Sequence, residues 1–529
     1  MRITLVFPPH TGPTYMPLGV ACLAAVANRN HKAIDLFDAN LELWNHLCDS
    51  EFRLGALRNF ARGPLETFLN PDIYAGHQGN MSIAKHQVGM LEQQGHVYLA
   101  GNGLGGELKS LLERHSARLA RTTPDTVAFS AMYLDQLPFI LAQAKYLTEE
   151  LRSGCRIVIG GAAMSALSPV ELLEAAPFVD SILTGEGEIP FTALLDGQPS
   201  AQIPGCYYRN GGGIDFAGRP AVLEDLSLLP EPDFDLLGGG YFNPVPVMPI
   251  YGCRGCKWRR CRFCSHNNSF GRHRQRPPMT VALEMQARRV QTGCRHFYIV
   301  DQYVDPVYLD ELSGAILALG LDCRFQIMAR TIGEYTPALL NKAARAGCCW
   351  ISWGMESGSQ KLLDLMNKGT NPETSLEVIK NAASEGISNL LMMIFGAPGS
   401  DKACQEETFS FLGKAWDYID GMTSSAFVLF DHTDFSRRAS RYGLEILGGN
   451  QILDLAGKPI HDMKLRFRRT EESSRHESPL AAAEIDAWEH RKVWLPPLPF
   501  HGRLCCEHYL LYADTQQQSN HPGKGLRSA

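Results

Sequence analysis

The chain has 529 residues, 45% of them hydrophobic and 20% charged, and a net charge of −6. That balance suits two or three globular domains with real cores, and it excludes a disordered chain or a generic polyanion binder. No run approaches the ~18 apolar residues of a membrane helix and the amino terminus lacks a signal peptide's long apolar stretch, so no membrane partner and a cytoplasmic location are expected.

Ile3–Phe7 reads as a strand ending at Pro8, Leu18–Arg29 as a helix and 32–37 as a second strand. Further short β-rich runs lie at 125–130, 156–159 and 179–183, the last ending in Thr184-Gly185-Glu186-Gly187-Glu188. Strands alternating with helices predict an α/β, doubly wound parallel sheet over residues 1–205, with ligands at the strands' carboxyl ends. Residues 42–120 interrupt this rhythm with polar, mostly helical sequence. The formal GxGxxG at Gly101-Asn102-Gly103-Leu104-Gly105-Gly106 is not followed by an acidic strand end. It therefore reads as a glycine turn before a helix rather than a dinucleotide site.

Residues 206–247 read as a connector, with turn signals at Gly211-Gly212-Gly213 and Pro230-Glu231-Pro232-Asp233. From residue 248 a second β/α series begins, with strands at 297–300, 324–328, 350–353, 390–395 and 425–430. Helices at 280–291 and 337–346 lie between them, a spacing that suits a full or partial barrel over 248–440. Residues 441–529 form a small carboxy-terminal region, expected to be disordered after Thr515.

Fifteen cysteines in so long a chain do not make a secreted disulfide scaffold. Four of them, Cys253, Cys256, Cys261 and Cys264, fall within twelve residues. Loop thiols this close can converge on one soft metal centre at little entropic cost. Buried free cysteines are the plain alternative, but the segment is crowded with arginine, lysine and glycine and is no apolar strand. A zinc ribbon would separate its two pairs by about 15–20 residues, whereas four lie between Cys256 and Cys261. A saturated four-thiolate cluster would also use Cys253, and a three-thiolate cluster would leave one iron open.

Here the sequence resembles the radical SAM (S-adenosylmethionine) superfamily, specifically its cobalamin-binding branch. The family fingerprint is CxxxCxxC with an aromatic before the last cysteine. This chain has Cys256-x4-Cys261-x2-Cys264 with Phe263 in that place, one residue longer in the first gap. Arg254 through Cys264 matches the string Arg-Gly-Cys-x-Trp-x-x-Cys-x-Phe-Cys of some members, which selects Cys256 over Cys253. The resemblance implies that Cys256, Cys261 and Cys264 hold a [4Fe-4S] cluster whose open iron binds SAM. Trp353-Gly354-Met355-Glu356-Ser357-Gly358-Ser359, followed by 363–366 and Lys368-Gly369, resembles the family's strand-four segment. By that likeness Glu356 and Ser357 would contact SAM. Ile394-Phe395-Gly396-Ala397-Pro398-Gly399 resembles the strand-five turn beside adenine, which brings in Gly396 and Pro398. The family's Gly-Gly-Glu after strand two is replaced by Val300-Asp301-Gln302, so Asp301 is carried as a SAM-site residue. Arg330 is a candidate for the SAM carboxylate, and Phe263 for the SAM site as a whole.

In the same branch a Rossmann-like cobalamin domain precedes the cluster loop. Pro17-Leu18-Gly19, Ser130, Gly160-Gly161 and Gly185-Glu186-Gly187 resemble its binding loops. No Asp-x-His-x-x-Gly string occurs, so the likeness implies cobalamin with its lower base detached and no histidine on cobalt. The activity implied is methyl transfer to an unactivated carbon in natural-product or peptide biosynthesis. A small-molecule or peptide substrate and an external flavodoxin- or ferredoxin-type electron donor go with it. A second reading keeps both cofactors but performs cyclisation, ring contraction or oxygen insertion. A third is a non-catalytic metal-binding module that holds RNA through the basic loop.

That loop carries eight Lys or Arg and no acidic residue between Arg254 and Arg276. The favoured reading is that these cations offset thiolates and a SAM carboxylate or are simply solvated, and nucleic acid is not an expected partner. Cys348-Cys349 and Cys505-Cys506 read as packing, and His266 and His273 as solvated loop residues.

Overall fold

A computed structural model describes residues 1–266, 271–470 and 506–520. It divides into two compact units, one comprising 1–68, 76–244 and 449–463 and the other 69–75, 245–448 and 464–529. Among the described residues no helix is long and apolar enough to cross a membrane.

The first unit is built on a seven-stranded sheet of β1 (Ile3–Phe7), β2 (Asp35–Asp38), β3 (Thr126–Ser130), β4 (Arg156–Gly160), β5 (Ser181–Leu183), β6 (Cys206–Asn210) and β7 (Gly213–Phe216). Its order is β2-β1-β3-β4-β5-β6-β7, with β1 to β5 parallel and β6 and β7 antiparallel at one edge. Helices on both faces bury the parallel strands, which is why β1 and β3 are almost continuously apolar. Val127, Phe129, Ile157, Ile159 and Ile182 form the middle of the core.

Several expectations move here. The second strand begins at Asp35, three residues after the expected Lys32, and the fifth is only Ser181–Leu183. The expected connector is shorter than 206–247, because Cys206–Asn210 and Gly213–Phe216 are sheet strands. The inserted region 39–120 is helical, and Gly101–Gly106 leads out of one helix and into Gly106–Ala120 with no strand before it.

The second unit holds six parallel strands: β8 (Val247–Ile250), β11 (His296–Ile299), β12 (Arg324–Ala329), β13 (Cys348–Glu356), β14 (Ser388–Phe395) and β15 (Gly421–Ala426). They pair in sequence order from β8 to β15. The barrel is therefore partial, with β8 and β15 at its two edges. The last strand lies at 421–426 rather than at 425–430. The returning helices start where a short polar residue precedes proline: Asp305 caps Pro306–Ala318, Thr336 caps Pro337–Arg345 and Asn371 caps Pro372–Ser384. Each side chain accepts a backbone N–H that the first turn cannot satisfy, and proline fits where no N–H is needed. β13 is buried along all nine residues, Cys348 and Cys349 included.

Two short strands, β9 (Cys253–Arg254) and β10 (Arg274–Gln275), pair antiparallel and close the loop that follows β8. A hairpin of β16 (Leu444–Leu455) and β17 (Lys458–Arg469) is shared between the two units. The helix Cys506–Asn520 packs in the second unit and continues past Thr515, where disorder was expected. Cys505 lies outside the described residues.

Candidate active site

The cysteine loop hangs from the carboxyl end of β8. Its base is set by Asp301, whose oxygens accept the backbone N–H groups of Gly252 and Cys253 at 2.9 Å each. Burial raises this carboxyl to about 6 against those bonds. Gly252 is required there, since a Cβ would lie 2.6 Å from the Tyr308 hydroxyl and 2.9 Å from Asp301. Asp301 thus fastens the loop backbone, a use the sequence did not announce.

Cys253 is buried on β9, and its thiol reaches the Tyr303 carbonyl at 3.6 Å. Burial, with Asp301 beside it, pushes that thiol far above its ordinary range. Cys256, Cys261 and Cys264 are only half-buried. Burial also raises the Cys261 thiol, while Lys368 and Arg330 pull it down. Cys264 is pushed up to about 11, chiefly by burial and then by the field of Cys261. Among the described residues no three His, Cys, Asp or Glu side chains gather closely enough for a single metal ion. In a cubane cluster each thiolate binds a different iron, so its three ligands need not meet at one point. Three soft thiols with two cations beside Cys261 fit such a cluster by the chemistry of the donor set.

The far side of the loop is strapped to residues 365–369. The Trp258 indole donates to the Asn367 carbonyl at 3.0 Å, and the Asn367 amide donates to the Arg260 carbonyl at 2.9 Å. The Arg262 backbone N–H donates to the Met366 carbonyl at 2.9 Å, and its guanidinium to the Leu365 carbonyl at 2.9 Å. Arg259, in the longer first gap, adopts the left-handed region at φ +47°. Phe263 packs with Met366, Ala397, Phe427 and Phe435.

Arg330 lies over the Trp258 ring at 4.0 Å and donates to the carbonyls of Lys368 and Gly369. Its Nε is buried without a hydrogen-bond partner, a donor that fits a carboxylate. Glu356 ends β13 with φ +67° and is ion-paired with Lys368 at 2.7 Å. Ser357 is spent within the fold, since its hydroxyl meets Thr408 at 3.1 Å and accepts the Ser359 N–H. Gly396 and Pro398 form the turn after β14, where the Gly396 carbonyl accepts from Arg469 at 2.6 Å. Most loop cations are engaged: Lys257 with Asp305, Arg262 with Asp434, Arg276 with Glu284, and Arg254 over Tyr251. His266 is exposed and bonds Gln302, whereas burial lowers the pKa of His273.

In the first unit a small, shallow cleft opens at the carboxyl ends of β3, β4 and β5. Ser130, Gly160, Gly161, Gly185 and Gly187 line it together with Leu23, Thr184 and Phe191. Pro17, Leu18, Gly19 and Glu186 are not part of this lining; Pro17 and Leu18 instead start the helix Leu18–Arg29. Gly161, at φ +98°, is demanded by the chain itself, because a Cβ would sit 2.2 Å from the Ala131 carbonyl. The cleft is mainly apolar, with hydroxyls at Ser130 and Thr184 and four glycines on its lining, a chemistry that suits a flat, largely apolar group. Lys368, Trp258 and Thr184 do not stand out in the sequence as site residues, although all three lie in or beside its motifs.

Residues 250–412 match the model of the Radical SAM superfamily. That segment is a radical SAM domain. The chain is 24% identical over 51% of its length to an uncharacterised methyltransferase of Pyrococcus horikoshii, of which it covers 60%. It is also 24% identical over 58% of its length to an anaerobic magnesium-protoporphyrin IX monomethyl ester cyclase of Cereibacter sphaeroides, of which it covers 51%. The chain thus spans just over half the length of these curated relatives. Among solved structures it resembles the cobalamin-dependent radical SAM enzyme OxsB, with TM-score 0.60 and 16% identity over 87% of this chain and 64% of that one. It likewise resembles the radical SAM methyltransferase TsrM of Kitasatospora setae, with TM-score 0.60 and 16% identity over 89% and 84% of the two chains. At that identity the likeness establishes the fold: a Rossmann-like unit followed by a radical SAM barrel.

Proposed function

We propose that this chain is a cobalamin-dependent radical SAM methyltransferase acting on an unactivated carbon of a small molecule or peptide. The observation that carries the reading is three half-buried thiols on one tethered loop at the carboxyl end of β8, in a partial barrel preceded by a Rossmann-like unit. When bound, the cluster supplies the electron that cleaves SAM and cobalamin supplies the methyl group, so the hard chemistry belongs to the cofactors.

The chain's own residues bind, orient and exclude water. Cys256, Cys261 and Cys264 would hold the cluster, and Asp301 and residues 365–369 would fix their loop from two sides. Arg330 would offer its spare Nε–H to the SAM carboxylate, and Glu356 would accept from SAM's amine or ribose. Ser130, Thr184 and the glycines of the first cleft would seat part of cobalamin. Electrons would come from an external flavodoxin- or ferredoxin-type donor in the cytoplasm.

The test is anaerobic purification with iron, sulfide and cobalamin quantified, followed by incubation with SAM. The expected result is 5′-deoxyadenosine from the unaltered chain and at least a hundredfold less from each of Cys256→Ala, Cys261→Ala and Cys264→Ala. Unchanged formation in these three variants sinks the reading. Likeness to a cyclase favours one second reading, the same cofactors used without methyl transfer. Methyl-labelled SAM separates the two, because only the first leaves label in the product.

A further inference from the structure

Lys368 is buried at 5% exposure in the second unit, and neither composition nor motif gives it a task. A buried ammonium is costly unless it is paired and its hydrogen bonds are met. Its Nζ lies 2.7 Å from Glu356 Oε1, and that carboxylate is itself almost fully buried. The space for this pair is made by Gly354, where a Cβ would lie 2.8 Å from Nζ and 3.1 Å from Oε1. Glu356 also occupies the left-handed region at φ +67°, and the register of β13 with β14 shifts between Gly354 and Glu356. A non-glycine residue stays in that region only when its surroundings hold it there.

The backbone of Lys368 is fixed as firmly as its side chain. Its carbonyl accepts from Arg330, and its neighbours Met366 and Asn367 carry the bonds to the cysteine loop. Burial alone would lower the lysine's pKa, but attraction to Glu356 and then to the Cys261 thiol holds it above the ordinary lysine value. One cation therefore pairs with an acid held in a left-handed backbone pose and feels the field of the Cys261 thiol, on the segment that braces the loop.

We propose that Lys368 is a positioning residue of the SAM site, holding the Glu356 carboxylate in its left-handed pose so that Glu356 can meet SAM. The inference rests on the functional reading above, because it takes Glu356 as a SAM contact. It adds a residue that acts on SAM only through Glu356.

The test is a double-mutant cycle on SAM affinity, measured by equilibrium dialysis on the full chain loaded anaerobically with iron and sulfide. Lys368→Met and Glu356→Gln each weaken SAM binding about tenfold, the size expected for one lost charged contact. The double variant binds no more weakly than Glu356→Gln alone, and Lys368→Arg restores most of the affinity with the iron content unchanged. Multiplied losses in the double variant overturn the proposal, since they mean that Lys368 acts independently of Glu356. Unchanged affinity in Lys368→Met overturns it as well.

Lys368→Met leaves a buried carboxylate unpaired and can fail to fold. The double variant buries neither charge, and its comparison with Glu356→Gln then decides alone. If the double variant loads no cluster while Glu356→Gln does, Lys368 serves the fold and the proposal falls. An unaltered chain that loads iron but binds no SAM fails the functional reading instead, which keeps the two failures apart.

Discussion

Asp38 shows how much a single half-buried group can set the response of a unit to pH. It lies at the end of β2, accepts the Leu41 N–H at 2.8 Å and receives the Tyr241 hydroxyl at 2.7 Å. Burial outweighs these bonds and raises its pKa to about 6. A carboxyl whose folded pKa is raised helps the fold most below its unfolded value of about 3.9 and loses that help as pH rises through about 6. Between those values the native state binds more protons than the unfolded chain, so stability falls with rising pH. The size is on the order of 2–3 kcal/mol for a shift of about two units. Asp38→Asn, which cannot ionise, should flatten the slope of unfolding free energy between pH 4 and 6 in urea titrations. An unchanged slope means that Asp38 does not carry it.

At the scale of elements, the helix Cys506–Asn520 shows what a terminal segment can hold together. Asp514 accepts from Arg324 at 2.7 Å and meets His296 Nε2 at 3.1 Å, so it joins β11 and β12. Tyr509 packs edge-on against Trp350 of β13, with ring centroids 4.5 Å apart. Asp514→Ala should cost about 2 kcal/mol, because it removes the nearer of two carboxylates beside a largely buried arginine and leaves it Asp322 at 3.8 Å. The readout is the urea midpoint of the full chain, and a change under 0.5 kcal/mol would make the contact incidental.

This helix is hard to see in the sequence because its apolar residues lie next to a polar stretch and its anchoring acid looks like any surface aspartate. The hairpin β16–β17 is hidden for a different reason. Leu465 and Phe467 alternate with Lys464, Arg466 and Arg468, and Ala456-Gly457 marks the turn, so a period-two signal is present but short and set in mixed sequence. The parallel strands and the cysteine loop are legible because a continuous apolar run bounded by turns suits a strand buried on both faces, and thiols packed among cations suit a metal centre. Lys368 sits inside a legible motif, yet only three dimensions show that it pairs with Glu356.

Considered whole, the proposed function places its two cofactors in separate units, so their loss should be separable. Gly160 ends β4 and lines the first unit's cleft, with ordinary backbone geometry and a Cβ position that would meet Leu183 at 3.6 Å. Gly160→Val therefore fills the cleft without the backbone clash that a substitution at Gly161 would cause, and valine suits a strand. The expected outcome is at least tenfold less cobalamin retained after anaerobic purification. Iron content and 5′-deoxyadenosine formation should stay within twofold of the unaltered chain, because the thiols and their braces lie in the other unit. Equal cobalamin in variant and parent would remove this cleft from its seat. A parallel loss of iron would mean that the substitution acts on folding, which the urea midpoint of the same sample reads directly.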